Sequence, residues 1–451
     1  MWRRPRAGLW AAAGVAALMF LVALEWTARR YGLPGPLTTQ ARELVFPPKS
    51  GFLLYAGLAL TMVVLTARQR LLALGTALGI DAVLMTVRWA FGVGTGEGHP
   101  FGNGALWVVL GCAVVAVTHR TGRERVLLLK GVGLGLLLVA GRKTGDTWLL
   151  ITSKSRPTVL DPYVATADHA LGNPSWLVGR LVTASGPIGF TLLDVVYSQL
   201  AVAAVLVALY QLRNVAAERR FPRHHLVRTF LVIGLLGPGI YMLFPVVGPV
   251  FAYGTGTDHW ATVGLWPDHS PGGHWPVPDL WPGTAPAVRP PHRIAYDAIT
   301  PRNCMPSLHT AWATAIFIHT RRGPRFLRFA GAFWLVATLT ATLGFGYHYG
   351  ADLLAGVVFT LTIEAALRTY DRGWDPAGLR LTGYGLTVFV ALLVSYRFLP
   401  LPMAEHRWLS GPLLVLAMLS VIYGYVRTTG RWEPAPAPVP RPRTEPQPEL
   451  I

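Results

Sequence analysis

Residues 329–367 read FAGAFWLVATLTATLGFGYHYGADLLAGVVFTLTIEAAL: two apolar runs joined by a short segment, residues 344–356, that carries His348 and Asp352. At 1.5 Å per helical residue, runs of this length approach the ~30 Å hydrocarbon core of a bilayer. Outward from this stretch the pattern repeats to both ends of the chain. Twelve candidate spans fall near 7–25, 51–67, 71–93, 105–118, 126–140, 188–212, 226–249, 305–320, 329–347, 351–367, 381–398 and 409–426. The expectation is an all-α, polytopic transmembrane helical bundle. Gly and Pro inside several runs are compatible with it, because neighbouring helices re-satisfy the backbone groups they free.

Composition supports lipid as the solvent. The 451 residues are 52% hydrophobic and 14% charged, where soluble domains carry about 25% charged residues. The net charge of +18 does not point to nucleic acid, because Lys and Arg sit in short clusters between apolar runs rather than in one patch. Cys112 and Cys304 form neither a disulfide framework nor a metal motif. The first run, after Met1–Arg6, is too long for a signal peptide and reads as a retained anchor. Residues 433–451, rich in Pro and charge, are expected to be disordered.

Charge also orients the bundle. With the N-terminus cytoplasmic, the inner loops 68–70, 119–125, 213–223, 321–328 and 368–380 hold 16 Lys and Arg in 42 residues; the outer loops 26–50, 94–103, 141–187, 250–303 and 399–410 hold 13 in 148. That bias predicts cytoplasmic termini in a membrane expected to be the plasma membrane. Loop 250–303, with Trp260, Trp266, Trp275 and Trp281, is expected to lie outside as an interfacial lid.

On this topology His309 opens the eighth span, His348 closes the ninth and Asp352 opens the tenth, so all three meet at the outer face. His348 and Asp352 are four residues apart, adjacent on a helical turn. A carboxylate beside one imidazole nitrogen fixes the tautomer and frees the other to attack; a second imidazole can protonate a departing oxygen. Ser307 is expected to cap the helix bearing His309, and Pro306 to occupy its first turn. Ionisable groups converging at one membrane depth mark function.

The motifs Pro306-Ser307-Leu308-His309 and His348-x-x-x-Asp352 resemble the second and third signatures of the type 2 phosphatidic acid phosphatase superfamily. Leu308, and the His348-Tyr349-x-x-Asp352-Leu-Leu-Ala-Gly356 run, are most similar to its inositol phosphorylceramide synthase-like (inositolphosphotransferase) branch. The resemblance implies a six-helix phosphatase-like core over residues 126–370, flanked by N-terminal helices in 1–125, C-terminal helices in 371–432 and the tail 433–451. It implies His348 as nucleophile, Asp352 as its orienting group and His309 as general acid. The implied substrate is a lipid phosphate met in the membrane, and the reaction is metal-independent with no cofactor.

The superfamily's first signature, a Lys seven residues before Arg-Pro, is absent. Its place holds Tyr241-Met-Leu-Phe-Pro245-Val-Val-Gly248-Pro249, similar to the Phe-Pro-x-x-x-Pro segment of the inositolphosphotransferase branch. Ser307, Tyr349 and Pro245 are accordingly expected at the substrate. A phosphoryl transition state still needs cationic donors. Arg302 is the first substitute, ahead of Arg142, Lys143, Lys154, Arg156 and Arg293 in outer loops. Asp194 and Tyr197 are candidates to line the cavity. Asp81 and Arg88, seven apart in the third span, read as a structural ion pair. His259, His269, His274 and His292, with Asp258 and Asp268, match no metal-ligand spacing. A non-catalytic lipid carrier is the alternative, but carriage needs no nucleophile, carboxylate and acid together, and the internal symmetry of carriers is not evident.

Overall fold

In the computed structural model, residues 7–94, 96, 98–253, 291–296 and 301–432 are described. Seven helices among them are long and apolar enough to cross a membrane: Ala67–Ala90, Leu200–Glu218, Leu226–Leu243, Arg325–Gly344, Gly350–Asp371, Pro376–Phe398 and Arg407–Trp432. Their outer faces expose large apolar side chains such as Leu71, Trp89, Val336, Trp408 and Leu413, as lipid-facing helices do. The chain is therefore an integral membrane protein built from helices. Among the described residues the only strands are Thr158–Val159 and His292–Arg293, a two-residue antiparallel ladder.

One core is organised around Gly350–Asp371. Ala351, Ala355, Val358 and Ala365 pack with Ala311, Ala315 and Ile316 of the Leu308–Thr320 helix and with Phe389, Tyr396 and Tyr425. A second core joins Gly51–Met62, Ala67–Ala90, Asn103–Thr118 and Gly122–Ser155 through Leu54, Leu58, Ala77, Val109 and Val132, and reaches Ala208, Leu212 and Val227. Small residues allow this packing. A Cβ on Gly135 would stand 2.3 Å from the Gly57 carbonyl oxygen, the close backbone approach that binds helices in lipid.

Several sequence expectations are corrected. Residues 141–155 are not an outer loop; they extend one 34-residue helix, Gly122–Ser155. Its charge is accommodated because Lys143 is buried against Glu43 at 2.6 Å. Most of the remaining 141–187 segment is also helical, in Asp161–Asp168 and Pro174–Ala184. The single span expected over 188–212 is two helices, Gly186–Ser198 and Leu200–Leu212, interrupted at Gln199. The indole of Trp334 donates to the Val196 carbonyl at 3.2 Å, satisfying a group that the break releases. Leu226–Leu243 ends before Phe244, since a residue preceding Pro245 is pushed out of helical geometry. Pro306 precedes the cap of the Leu308–Thr320 helix rather than occupying its first turn.

Asp81 and Arg88 do not bond one another. Asp81 accepts from the Tyr55 hydroxyl and the Gly102 and Gly104 amides at 2.7–2.9 Å, while Arg88 donates to the Val45 carbonyl and Asn103. The four loop tryptophans, the tail, and His259, His269, His274, Asp258 and Asp268 lie outside the described residues.

Candidate active site

Three chain segments meet at one end of the bundle. Ser307 caps the Leu308–Thr320 helix, its hydroxyl accepting from the Thr310 amide at 3.3 Å. This cap is the one expected from the sequence, and it fixes His309 on the first turn. The Arg325–Gly344 helix ends before Phe345, and residues 345–349 turn back into Gly350–Asp371. The His348 amide bonds the Thr342 carbonyl at 3.2 Å, and the His348 carbonyl accepts from the Ser175 hydroxyl at 2.8 Å. Asp352 stands in the first turn of the following helix, where a carboxylate is favoured by the helix dipole.

The rings of His309 and His348 lie 6.4 Å apart, centroid to centroid. His348 is buried, and its Nδ1 lies 3.0 Å from the Cys304 carbonyl oxygen. A carbonyl only accepts, so Nδ1 carries the proton and Nε2 keeps its lone pair. The Asp352 carboxylate stands 3.5 Å from the same Nδ1, close enough for charge but long for a hydrogen bond. Asp352 Oδ2 instead accepts from the Tyr349 amide at 2.7 Å and the Cys304 thiol at 2.6 Å. Burial, with the Asp352 and Asp161 carboxyls beside it, pushes the Cys304 thiol well up, so it remains a donor. The backbone and side chain of Cys304 thus hold the nucleophile candidate and its carboxylate together.

His309 is held differently. Tyr197 stacks on its ring at 4.1 Å, with the hydroxyl 3.2 Å from Nδ1, and Trp312 meets it edge-on. Tyr197 reaches this position from the last turn before the helix break at Gln199. Asp194, one turn earlier, does not share the cavity that Tyr197 and His309 line.

The remaining expected residues, Arg142 apart, do not line the cavity at His309. Tyr349 is buried, with its hydroxyl on Asp161 at 2.9 Å. The Pro245 carbonyl accepts from Leu160 at 2.8 Å, and Asp161 also takes the Val247 and Gly248 amides at 2.9–3.0 Å. Burial pushes the Asp161 carboxyl up to about 7 against the pull of these donors. Gly248 is required: its φ is +100°, and a Cβ would sit 2.2 Å from the Tyr347 carbonyl oxygen. Asp168 receives the Ala351 amide at 2.8 Å, anchoring the helix start, and burial pushes its carboxyl up to about 8. Arg302 is fully buried, with Nη2 on the Ile294 carbonyl at 2.9 Å. Lys154 bonds the Tyr31 carbonyl, and Arg156 and Arg293 are exposed. Of the cationic candidates, Arg142 shares a cavity wall with His309 and pairs with Asp146 at 2.9 Å.

Among the described residues two clusters bring possible metal ligands within 4.8 Å: Cys304, His348 and Asp352 at this site, and His224, His319 and Glu364 at the other end of Gly350–Asp371. In the first, the ring nitrogen that faces its neighbours is already committed to a carbonyl. In the second, the Leu226 amide fixes Gln211 Oε1 and turns the Gln211 amide donor onto His319 Nδ1. Nε2 of His319 then bears the proton and donates to Glu364 at 2.8 Å. Both arrangements favour protons over a cation at those nitrogens.

Residues 163–366, which contain His309, His348 and Asp352, match the family model of the PAP2 superfamily. Residues 8–151 match a domain of unknown function, DUF5933. No curated protein and no solved structure matches the chain.

Proposed function

We propose that this protein is a lipid phosphatase or phosphotransferase that works through a phosphohistidine. The observation that carries this reading is the state of the His348 ring. Its Nδ1–H is directed at the Cys304 carbonyl, with Asp352 3.5 Å away, which leaves Nε2 as the nucleophile opposite His309. The match of residues 163–366 to the PAP2 superfamily supports the same chemistry.

In this mechanism Nε2 of His348 attacks phosphorus in line. In its protonated form His309 donates its Nδ1–H to the Tyr197 hydroxyl, 3.2 Å away, and its Nε2 proton passes to the departing oxygen, leaving a neutral ring. Positive charge developing on the His348 ring is stabilised by Asp352. Water then resolves the intermediate in a phosphatase, and a lipid hydroxyl does so in a phosphotransferase of the inositol type. Neither half-reaction uses a metal. Arg142 and Arg302 are the cations assigned to the phosphoryl oxygens, and Ser307, Tyr349 and Pro245 are assigned to the substrate. The catalytic unit is assigned to residues 126–370. The charge bias of the loops supports an active site on the outer face of the plasma membrane with both termini cytoplasmic.

The test is incubation of purified protein with a panel of lipid phosphates, with and without alcohol acceptors, followed by product analysis. Release of phosphate or transfer to an acceptor, lost in His348→Ala, is expected. Turnover that survives in His348→Ala overturns the mechanism.

A further inference from the structure

Two cavities at the seam between the segment matching the domain of unknown function and the rest of the bundle share part of their walls. The first, of about 220 Å³, has His309 and Tyr197 at one end and Leu53, Leu138, Ala201 and Phe230 further in. The second, of about 60 Å³, is lined by these same last four residues and continues to Ala208 and Leu226; every residue around it is apolar. Along the Leu226–Leu243 helix the two extend from Pro238 to Leu226. Twelve residues at 1.5 Å make this about 18 Å, over half the hydrocarbon thickness of a bilayer. The inner wall belongs to the core. Leu53 and Leu138 belong to the Gly51–Met62 and Gly122–Ser155 helices, within the segment matching the domain of unknown function.

We propose that these cavities form one groove for the hydrocarbon chain of the substrate. The proposal rests on the phosphoryl-transfer reading above and adds where the lipid chain lies. An acid must stand at the departing oxygen, and the cavity that opens on His309 is lined mostly by apolar residues, with Arg142 and Asp146 as its charged ones, and runs on into the wholly apolar second cavity. The Nε2–P bond forms on His348 as the P–O bond to the lipid alcohol breaks. The electron pair of that bond stays with the oxygen, which takes the His309 Nε2 proton. Water or a hydroxyl then attacks phosphorus and returns its proton to His309, and the N–P electron pair returns to His348. The segment matching the domain of unknown function thereby acquires a role: it supplies the wall that holds the chain.

Gly145 lies on this wall, and a Cβ there meets its nearest neighbours at 3.8–4.0 Å, ordinary contact. A larger side chain therefore projects into the groove without a clash at its root. Full-length protein carrying Gly145→Leu, and separately Leu138→Trp, is assayed on p-nitrophenyl phosphate and on long-chain phosphatidate. The expected result is a fall of about tenfold or more in the ratio of kcat/KM for the long-chain ester over the soluble one. An unchanged ratio in both variants overturns the groove. Phosphatidate with a photoactivatable group on its chain supplies a readout independent of turnover, with crosslinks expected at Leu53 and Leu138. Turnover with crosslinks only elsewhere overturns the groove. Crosslinks at these leucines without turnover of any ester uphold the groove and overturn the phosphoryl-transfer reading.

Discussion

Asp352→Asn separates charge from orientation at the nucleophile. The substitution keeps an acceptor oxygen for the Tyr349 amide and the Cys304 thiol, now bonded to Asp352 at 2.7 and 2.6 Å. It leaves the 3.0 Å bond from His348 Nδ1 to the Cys304 carbonyl intact. The nucleophile's tautomer therefore survives, and only the negative charge 3.5 Å from Nδ1 is lost. Two full charges at that distance interact by about 5 kcal/mol at an effective dielectric near 20. Charge on the ring develops only in part, so a loss of roughly 3–4 kcal/mol is expected, or about 10²–10³-fold in turnover. A site in which the carboxylate alone sets the tautomer loses about 10⁴-fold on the same change. The assay is single-turnover phosphate release, with thermal melting to verify folding. A loss as deep as that of His348→Ala would show that the carbonyl does not hold the ring. An unchanged rate would remove Asp352 from the mechanism.

Arg142→Ala, at an exposed position beside His309, is expected to lower kcat/KM about tenfold with an unchanged melting temperature, whereas Arg302→Ala, at a fully buried one, is expected to lower the melting temperature as well. Gly248→Ala, at φ +100° and against the Tyr347 carbonyl, should destabilise the protein by about 2 kcal/mol or more, read as a drop in melting temperature. Asp168 has a carboxyl raised by burial to about 8. The folded protein therefore binds its proton more tightly than the unfolded chain, and its ionisation weakens the fold as pH rises from about 4 to 8. Asp168→Asn avoids that cost, so its melting temperature relative to wild type should climb across this window; a pH-independent difference would contradict the assignment.

The helical membrane class was legible because hydropathy needs only local sequence, and His309, His348 and Asp352 converge because each lies at the end of an apolar run. Their supports were not legible. The carbonyl that orients His348 belongs to Cys304, 44 residues away, and any residue type supplies a carbonyl. Asp161 and Asp168 act on Tyr349 and Ala351, 188 and 183 residues on; no local spacing announces such partners. Lys143 read as loop charge because its neutralising partner, Glu43, is 100 residues distant. Tyr197 reads as a polar residue lining the cavity, but its stacking on His309 depends on the break at Gln199, which is neither Gly nor Pro. Glu364 carries a local signal of its own. It is an acid inside an apolar run, and it gathers His224, His319 and Thr229 at the end of the bundle opposite the site.

The central claim is that Nε2 of His348 carries the phosphoryl group during turnover. Rapid quench of the protein with radiolabelled lipid phosphate at neutral or alkaline pH, followed by peptide mapping, tests it directly. The account predicts label on the peptide containing His348, absent in His348→Ala and accumulating when the acceptor is withheld. In His309→Ala, formation should be slow from ordinary esters and partly restored with a good leaving group. Full turnover with no labelled histidine, or undiminished activity in His348→Ala, would contradict it.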